Sequence, residues 1–364
     1  MTQDFDFRIN GRPENIVKGE LLTTVDTGCD GFTVTLPINL DEQIELYSDA
    51  MPKSYAGVQI YLKKELFLTG KKTKTDTSSS SNGIVYDLHG FSNTYNFVDS
   101  NLKPPYELNG MKLDAITREV AKQTSTGVKV GDGDLGDIFD RATISPGQSG
   151  FAFVAPLAKQ RDHVVSSDPN GNILLQQADA KSASVGSIEE GNQANLNSRE
   201  FQASFDDRKA FRSYTVRSQT PFGRGEGTAI DRSCPEPRHK VVNAENMIPG
   251  GIQEVAEWQR HLATIDDFKL ELPVYGWTAP NGDLWRHNTI VTLISRSLFI
   301  PDGFDLYIRA VRYFFSSDGL TAVLSLIPPN VYTKEPVILP WIEPTATEKA
   351  DDFLSSFSDA LTGR

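Results

Sequence analysis

The chain has 364 residues, 38% of them hydrophobic, and its 48 acidic against 36 basic side chains give a net charge of -12 and a pI near 5.0. That length accommodates roughly two to four domains, and the apolar fraction is low for one compact enzyme. The acid excess argues against a surface that grips nucleic acid or anionic lipid. It suits simple solubility, or a wall past which DNA moves without sticking.

Residues 5 to 92 alternate strand-like runs with turns: Phe5 to Ile9, Phe32 to Leu36, Gly57 to Leu62, Leu66 to Thr69 and Ile84 to Leu88. They predict a first β domain. The tract Lys71 to Asn82, KKTKTDTSSSSN, has the composition of a long solvated hairpin loop, disordered unless a partner orders it. After Asn93 the texture changes. Leu113, Ile116, Val120 and Ala121 share a face of a helix that starts after Asn109-Gly110, and Phe153, Leu157 and Ala158 predict a second helix after Ser145-Pro146-Gly147. Arg161 to Ser166, Asp168-Pro169-Asn170-Gly171 and Ile173 to Leu175 follow as strand, turn and strand, so 94–198 reads as a mixed α+β insert.

Strands return with Arg199 to Phe205 and Ser213 to Ser218, before a stretch over 219–240 that reads as loop-rich. Gln253 to Ile265 predicts a helix with Val255, Trp258 and Leu262 on one face. A train of strands from Leu272 to Tyr332 follows, with turns at Pro280-Asn281-Gly282-Asp283 and Asp318-Gly319. Its apolar runs, Ile290 to Ile294 and Leu306 to Val311, are β-branched or aromatic and suit a small barrel or sandwich. The tail, Thr347 to Arg364, places Phe353, Leu354, Phe357 and Leu361 at helical spacing, for packing at home or on a neighbour. The fold class expected is therefore α+β and β-dominated: two related antiparallel β-barrel domains with a mixed insert and a smaller peripheral helical element.

Chemical signatures are weak throughout. Cys29 and Cys234 are far apart, with no CxxC and no histidine at ligand spacing, so neither a zinc site nor a disulfide framework is expected. Gly223-Arg224-Gly225-Glu226-Gly227 superficially resembles a phosphate loop but lacks the strand-to-helix setting. Gly131 to Asp137, GDGDLGD, lacks the register and terminal glutamate of a calcium loop. His89, His163, His239, His261 and His287 are scattered, without GxSxG, HExxH or a Cys-His pattern. Glu189-Glu190 with Asp206-Asp207 could supply a glycosidase pair, and Trp277 with Trp285 a sugar platform, although tryptophans bracketing a hairpin turn are more often core partners. No catalytic, cofactor-binding or metal site is assigned. The N-terminus has no signal-peptide pattern and no apolar run reaches the roughly 18 residues of a membrane span, so no membrane insertion is expected.

Several blocks in order resemble the baseplate hub proteins of Mu-like contractile-tailed phages and prophages, the gpP-like tail family. They are Ile9-Asn10-Gly11; Asp87 to Ser92 with Phe97-Val98-Asp99; Ser149-Gly150-Phe151 through Ala158; and Asp168 to Leu174. Ala256-Glu257-Trp258, Val274 to Trp277, Gly282 to Trp285 and Asn288 complete them. His89 and Phe91 depart mildly, where more polar residues are expected. The resemblance covers about 5–333 and implies two related β-barrels per chain, 1–93 and 199–240 with 272–333. It also implies an insert at 94–198, a peripheral helical element at 241–271 and a C-terminal extension at 334–364. It implies no enzyme and no cofactor. The chain would be a structural hub of the virion baseplate, assembled in the host bacterial cytoplasm. It would form a homotrimeric ring of pseudo-sixfold symmetry between the hexameric tail tube protein and the trimeric central spike protein, beside other baseplate proteins, with DNA passing through the channel. The rival readings are a tail-tip cell-wall hydrolase and a carbohydrate-binding adhesin.

Overall fold

Period-two alternation decides the first strands. In β1 (Phe5–Ile9), Phe5, Phe7 and Ile9 are buried and Asp6 and Arg8 are not. The computed structural model describes residues 4–39, 42–81, 83–179, 181–191, 202–220, 223–244, 252–317 and 319–333. After β1 come β2 (Arg12–Glu14), β3 (Lys18–Thr24), β4 (Gly31–Ile38), helix α1 (Ile44–Ala50), β5 (Gly57–Leu62), β6 (Glu65–Ser80) and β7 (Gly83–Ser92). The tract expected to be a disordered loop is instead the outer half of β6, paired with β7 as far as Ser80 opposite Gly83. Thr73, Thr75 and Thr77 recur every second residue and are β-branched, which favours a strand. The arm is also tied at its base. Lys72 is buried, and its ammonium donates to the carbonyls of Ala50 (3.0 Å) and Met51 (2.5 Å) at the end of α1, where Thr75 Oγ1 also donates to Ala50 (2.8 Å).

The insert holds α2 (Tyr95–Asp99), α3 (Leu113–Gln123), β8 (Val128–Val130), α4 (Gly150–Lys159), β9 (His163–Ser167) and β10 (Ile173–Gln177). Both predicted helices form, and the predicted apolar faces pack on each other in a core of their own. Ser149 caps α4 by accepting from the Ala152 amide at 3.3 Å. Asp168 holds the expected turn, accepting from the Asn172 amide at 2.7 Å, and β8 adds a parallel third strand to β9–β10.

Then come β11 (Ser187–Glu189), β12 (Gln202–Phe205), β13 (Ser213–Thr220), β14 (Gly223–Ile230), β15 (His239–Ala244), α5 (Ile252–Asp267), β16 (Phe268–Tyr275), β17 (Ile290–Ser295), β18 (Ile300–Ser316) and β19 (Gly319–Ile327). The stretch read as loop-rich therefore carries the whole of β14, the end of β13 and the start of β15. Of 199–240, β12 pairs with β16, whereas β13, β14 and β15 form a separate three-stranded sheet covered by α5. The glycines that suggested a loop let the helix approach: a Cβ on Gly225 would lie 2.0 Å from Ile252 Cδ1, and one on Gly227 2.6 Å from the Gln253 amide nitrogen. The side chains of Trp258 and Leu262 and everything from 334 onward, including the tail expected to be helical, lie outside the described residues.

The main sheet has 13 strands, and its path β12-β16-β19-β18-β3-β4-β7-β6-β5-β1-β2 crosses between the two β units where β18 pairs with β3. The β-dominated α+β class holds; among the described residues no pairing closes either unit into a barrel. One core, from Phe5 to Leu326, serves both units, with Phe5 on Trp277 (5.9 Å) and Phe67 on Tyr313 (5.1 Å).

The two units repeat. The series β3-β4-β7-β6-β5 has the pairing order of β12-β16-β19-β18-β17. The hairpins agree residue by residue: Ser80 opposite Gly83 corresponds to Ser316 opposite Gly319, and bulges fall at Thr73 and Arg309. A second irregularity recurs between the third and fourth strands of each meander, at Ile60/Tyr61 and at Leu293/Ser295. Even a lone backbone bond recurs, Lys72 N to Ala56 O at 3.0 Å and Ile308 N to Thr289 O at 2.9 Å.

Candidate assembly seam

β3 is the strand by which one unit grips the other. Its residues Gly19 to Thr24 pair antiparallel with Phe315 to Ala310 of β18, burying Leu21 and Thr23 on the core face beside Val311 and Tyr313. On the opposite face Arg312 pairs with Glu20 at 3.3 Å. Where β3 ends, the carboxylate of Asp26 is ion-paired with Arg309, the bulged residue of β18, and accepts from Tyr332 Oη. Lys159, at the end of α4, lies 5.6 Å from the centre of the Tyr332 ring, and burial lowers its pKa. Asn288 extends the junction: its Oδ1 accepts from Tyr307 Oη (2.7 Å) and the Asp179 amide (2.9 Å), and its Nδ2 donates to Gln177 O (3.1 Å). Insert, first unit, second unit and the residues after β19 thus meet in one polar knot that fixes their relative placement. Local sequence signals gave no hint of it, because its members come from six separate segments.

Beside the knot sit two titratable groups with displaced pKa values. Burial raises the Asp30 carboxyl to about 8, against weaker opposition from a backbone hydrogen bond at Thr24 and the charge of Arg286, and its Oδ1 has no partner. Burial lowers the His287 imidazole to about 4, helped by the adjacent Arg286 charge.

The catalytic alternatives find little support in the geometry. Trp277 and Trp285 are each 1% exposed, so the proposed sugar platform is core; Trp277 Nε1 donates to the carbonyls of Phe314 and Thr321, both at 3.1 Å. Glu190 accepts from Ser295 Oγ (2.6 Å) and Ser297 Oγ (2.7 Å), bonds that lower its pKa. Asp206 is likewise lowered, chiefly by its bond from Arg208. Neither carboxyl is the proton-bearing acid that glycoside cleavage needs. The GRGEG segment is strand β14. In the GDGDLGD turn Asp134 Oδ1 accepts from the Gly136 amide at 2.9 Å, and no cluster of metal-ligating side chains occurs among the described residues. Of the histidines, His89 bonds Thr33 and Asp76, His163 the Arg161 carbonyl and His239 Ser213, while the side chain of His261 is outside the described residues. No described helix is long and apolar enough to cross a membrane.

Comparison with known proteins agrees with a structural part. Residues 94–177 match the family described as the second domain of gp44-like baseplate hub proteins, and residues 249–335 match the fourth domain of the Mu phage baseplate assembly protein GpP. The chain is 24% identical over 234 residues to the baseplate hub protein gp44 of Escherichia phage Mu, a stretch that is 59% of this chain and 60% of that protein. Two solved structures share the fold. One is the 43 kDa tail protein of prophage MuSo2 from Shewanella oneidensis, 22% identical, with a TM-score of 0.77 over 90% of this chain and 99% of that one. The other is the tail protein of Neisseria meningitidis MC58, 17% identical, with a TM-score of 0.78 over 91% and 98%. With two hub-domain matches in chain order, a stretch similar to gp44 and the shared tail-protein fold, the chain is similar to the Mu-type baseplate hub proteins.

Proposed function

We propose that this chain is a baseplate hub that works as a homotrimeric ring, adapting the hexameric tail tube to the trimeric central spike and lining the channel through which DNA passes. The observation that carries the reading is the repeat: each chain holds two units with the same strand order, bulges and hairpin register, so three chains present six near-equivalent units. The β3–β18 seam and the Asp26 knot lock those units into one rigid piece, as transmission of force from tube to spike requires. In this reading the strands of residues 1–93 and those around 199–205 and 268–333 build the ring, and the insert at 94–198 and the α5-covered sheet stand outside it, toward other baseplate proteins. The net charge of -12 keeps DNA from adhering in transit. The role is mechanical, without bond chemistry, in the baseplate of a virion assembled in the host cytoplasm. Light scattering across a concentration series, alone and with the spike protein, tests it. A mass three times the 40.2 kDa chain is expected; one chain under every condition, spike included, overturns the ring.

A further inference from the structure

We infer that the outer edge of β6, Lys74–Ser79, is completed by strand β12 of a second copy of this chain, in the register that β18 and β3 adopt within one chain. The inference rests on the ring reading and names the strands that would close it. Inside the chain, the first strand of unit one (β3) pairs with the fourth strand of unit two (β18). The reciprocal pair, the first strand of unit two (β12) with the fourth strand of unit one (β6), is not made. Beyond Lys71, β6 pairs only with β7, and β12 ends the sheet path with β16 as its one strand neighbour among the described residues. Both edges lie at equivalent places in the repeat, so the contact that joins two units within the chain can be repeated between chains, head to tail, until a ring closes.

Register follows from the correspondence. Ala310 corresponds to Lys74 and Phe314 to Ser78 through the aligned hairpins, and Glu20 corresponds to Gln202 through the pairings β3–β4 and β12–β16. Because Glu20 faces Phe314 within the chain, Gln202 of one copy faces Ser78 of the next, Ala203 faces Thr77 and Ser204 faces Asp76. Side-chain parity agrees: Ala203, the counterpart of buried Leu21, packs on the common core. Carried on, the register sets Lys74 opposite Asp206, a pairing of opposite charges. The composition of β6 agrees as well, since a long exposed edge of Lys, Thr, Asp and Ser resists indiscriminate pairing and leaves recognition to backbone bonds and matched charge.

Disulfide trapping tests this in the full chain. The variant carrying Ser78→Cys and Gln202→Cys is oxidised both as purified protein and in assembled tails. The native thiols stay in place, Cys234 being buried and Cys29 pushed up to about 12 by burial. Facing residues of an antiparallel pair stand about 4.5–5.5 Å apart between Cα atoms, within disulfide reach. The expected result is a non-reducing ladder that ends at three chains. The pair shifted by one, Ser79→Cys with Gln202→Cys, should link at least about tenfold more slowly because its side chains leave opposite faces. A three-chain particle without the 78–202 bond, equal rates for the shifted pair, or a bond to a different tail protein overturns the strand pairing and leaves the ring standing. A single-chain mass in every setting overturns both.

Discussion

The hairpins β6–β7 and β18–β19 share a register and carry opposite chemistry. From the bulge outward β18 reads Ala310-Val311-Arg312-Tyr313-Phe314-Phe315, and the corresponding part of β6 reads Lys74-Thr75-Asp76-Thr77-Ser78-Ser79. The first is sandwiched between β19 and β3 and supplies Tyr313 to the core; the second pairs on one side and is exposed apart from half-buried Thr75. Backbone geometry in this repeat is therefore independent of core-forming side chains. Turn, bulge and ladder bonds set the shape, and neighbours decide how apolar it becomes.

The sharpest way to break that comparison is to truncate equivalent residues. Tyr313 is fully buried, donates to the Trp285 carbonyl and packs edge-on against Phe67 at 5.1 Å and Trp277 at 6.2 Å. Tyr313→Ala should cost about 3–5 kcal/mol in chemical denaturation. Thr77→Ala, its counterpart, should stay within about 0.5 kcal/mol. Similar losses at both sites would mean that the β6 arm is buried in the isolated protein. The bulge residues give the next contrast. Arg309→Ala leaves Asp26 without its cation and should cost about 2 kcal/mol, whereas Thr73→Ala, at the exposed bulge of unit one, should again stay within about 0.5 kcal/mol.

How much of this was legible follows the range of each signal. Phe5 to Ile9 and Gly57 to Leu62 were readable to the residue because alternation is local, and Asn109-Gly110 and the turn at Asp168 announced the insert. β3 was missed: in KGELLTT the adjacent Leu21-Leu22 obscures the period of two. The seam and the knot were invisible for a different reason. Thr24 and Ala310, or Asp26 and Arg309, meet across almost the whole chain, and no spacing rule spans that distance. The repeat did leave a trace that composition hid, Ser80-Ser81-Asn82-Gly83-Ile84 against Ser316-Ser317-Asp318-Gly319-Leu320. The polar flank of the first made it look like a loop.

A pH series probes the boundary between the units through Asp30 and His287. The Asp30 pKa is raised from 3.8 to about 8, so the folded chain binds the extra proton and stability falls as pH rises through that window. The His287 pKa is lowered from 6.5 to about 4, so the unfolded chain binds the extra proton there and stability falls as pH drops from 6.5 toward 4. Between about pH 4 and 6.5 the two slopes oppose each other, and from 6.5 to 8 Asp30 acts alone. Asp30→Asn should therefore abolish the decline in Tm from pH 6.5 to 8 and uncover a steeper loss below 6.5. A Tm profile unchanged by the substitution would remove Asp30 from the account.

The smallest effect is the most specific to the repeat. Gly83 and Gly319 open β7 and β19 with φ of +121° and +112°, and a Cβ built on either meets nothing within 4 Å. Any penalty for alanine is then the cost of a backbone conformation that only glycine adopts easily, free of packing differences between the exposed and buried hairpins. Gly83→Ala and Gly319→Ala should each cost about 1 kcal/mol, equal within about 0.3, despite the contrast between their strands. Unequal costs would show that the turns are held by their surroundings, and that the likeness of the two hairpins is imposed by packing.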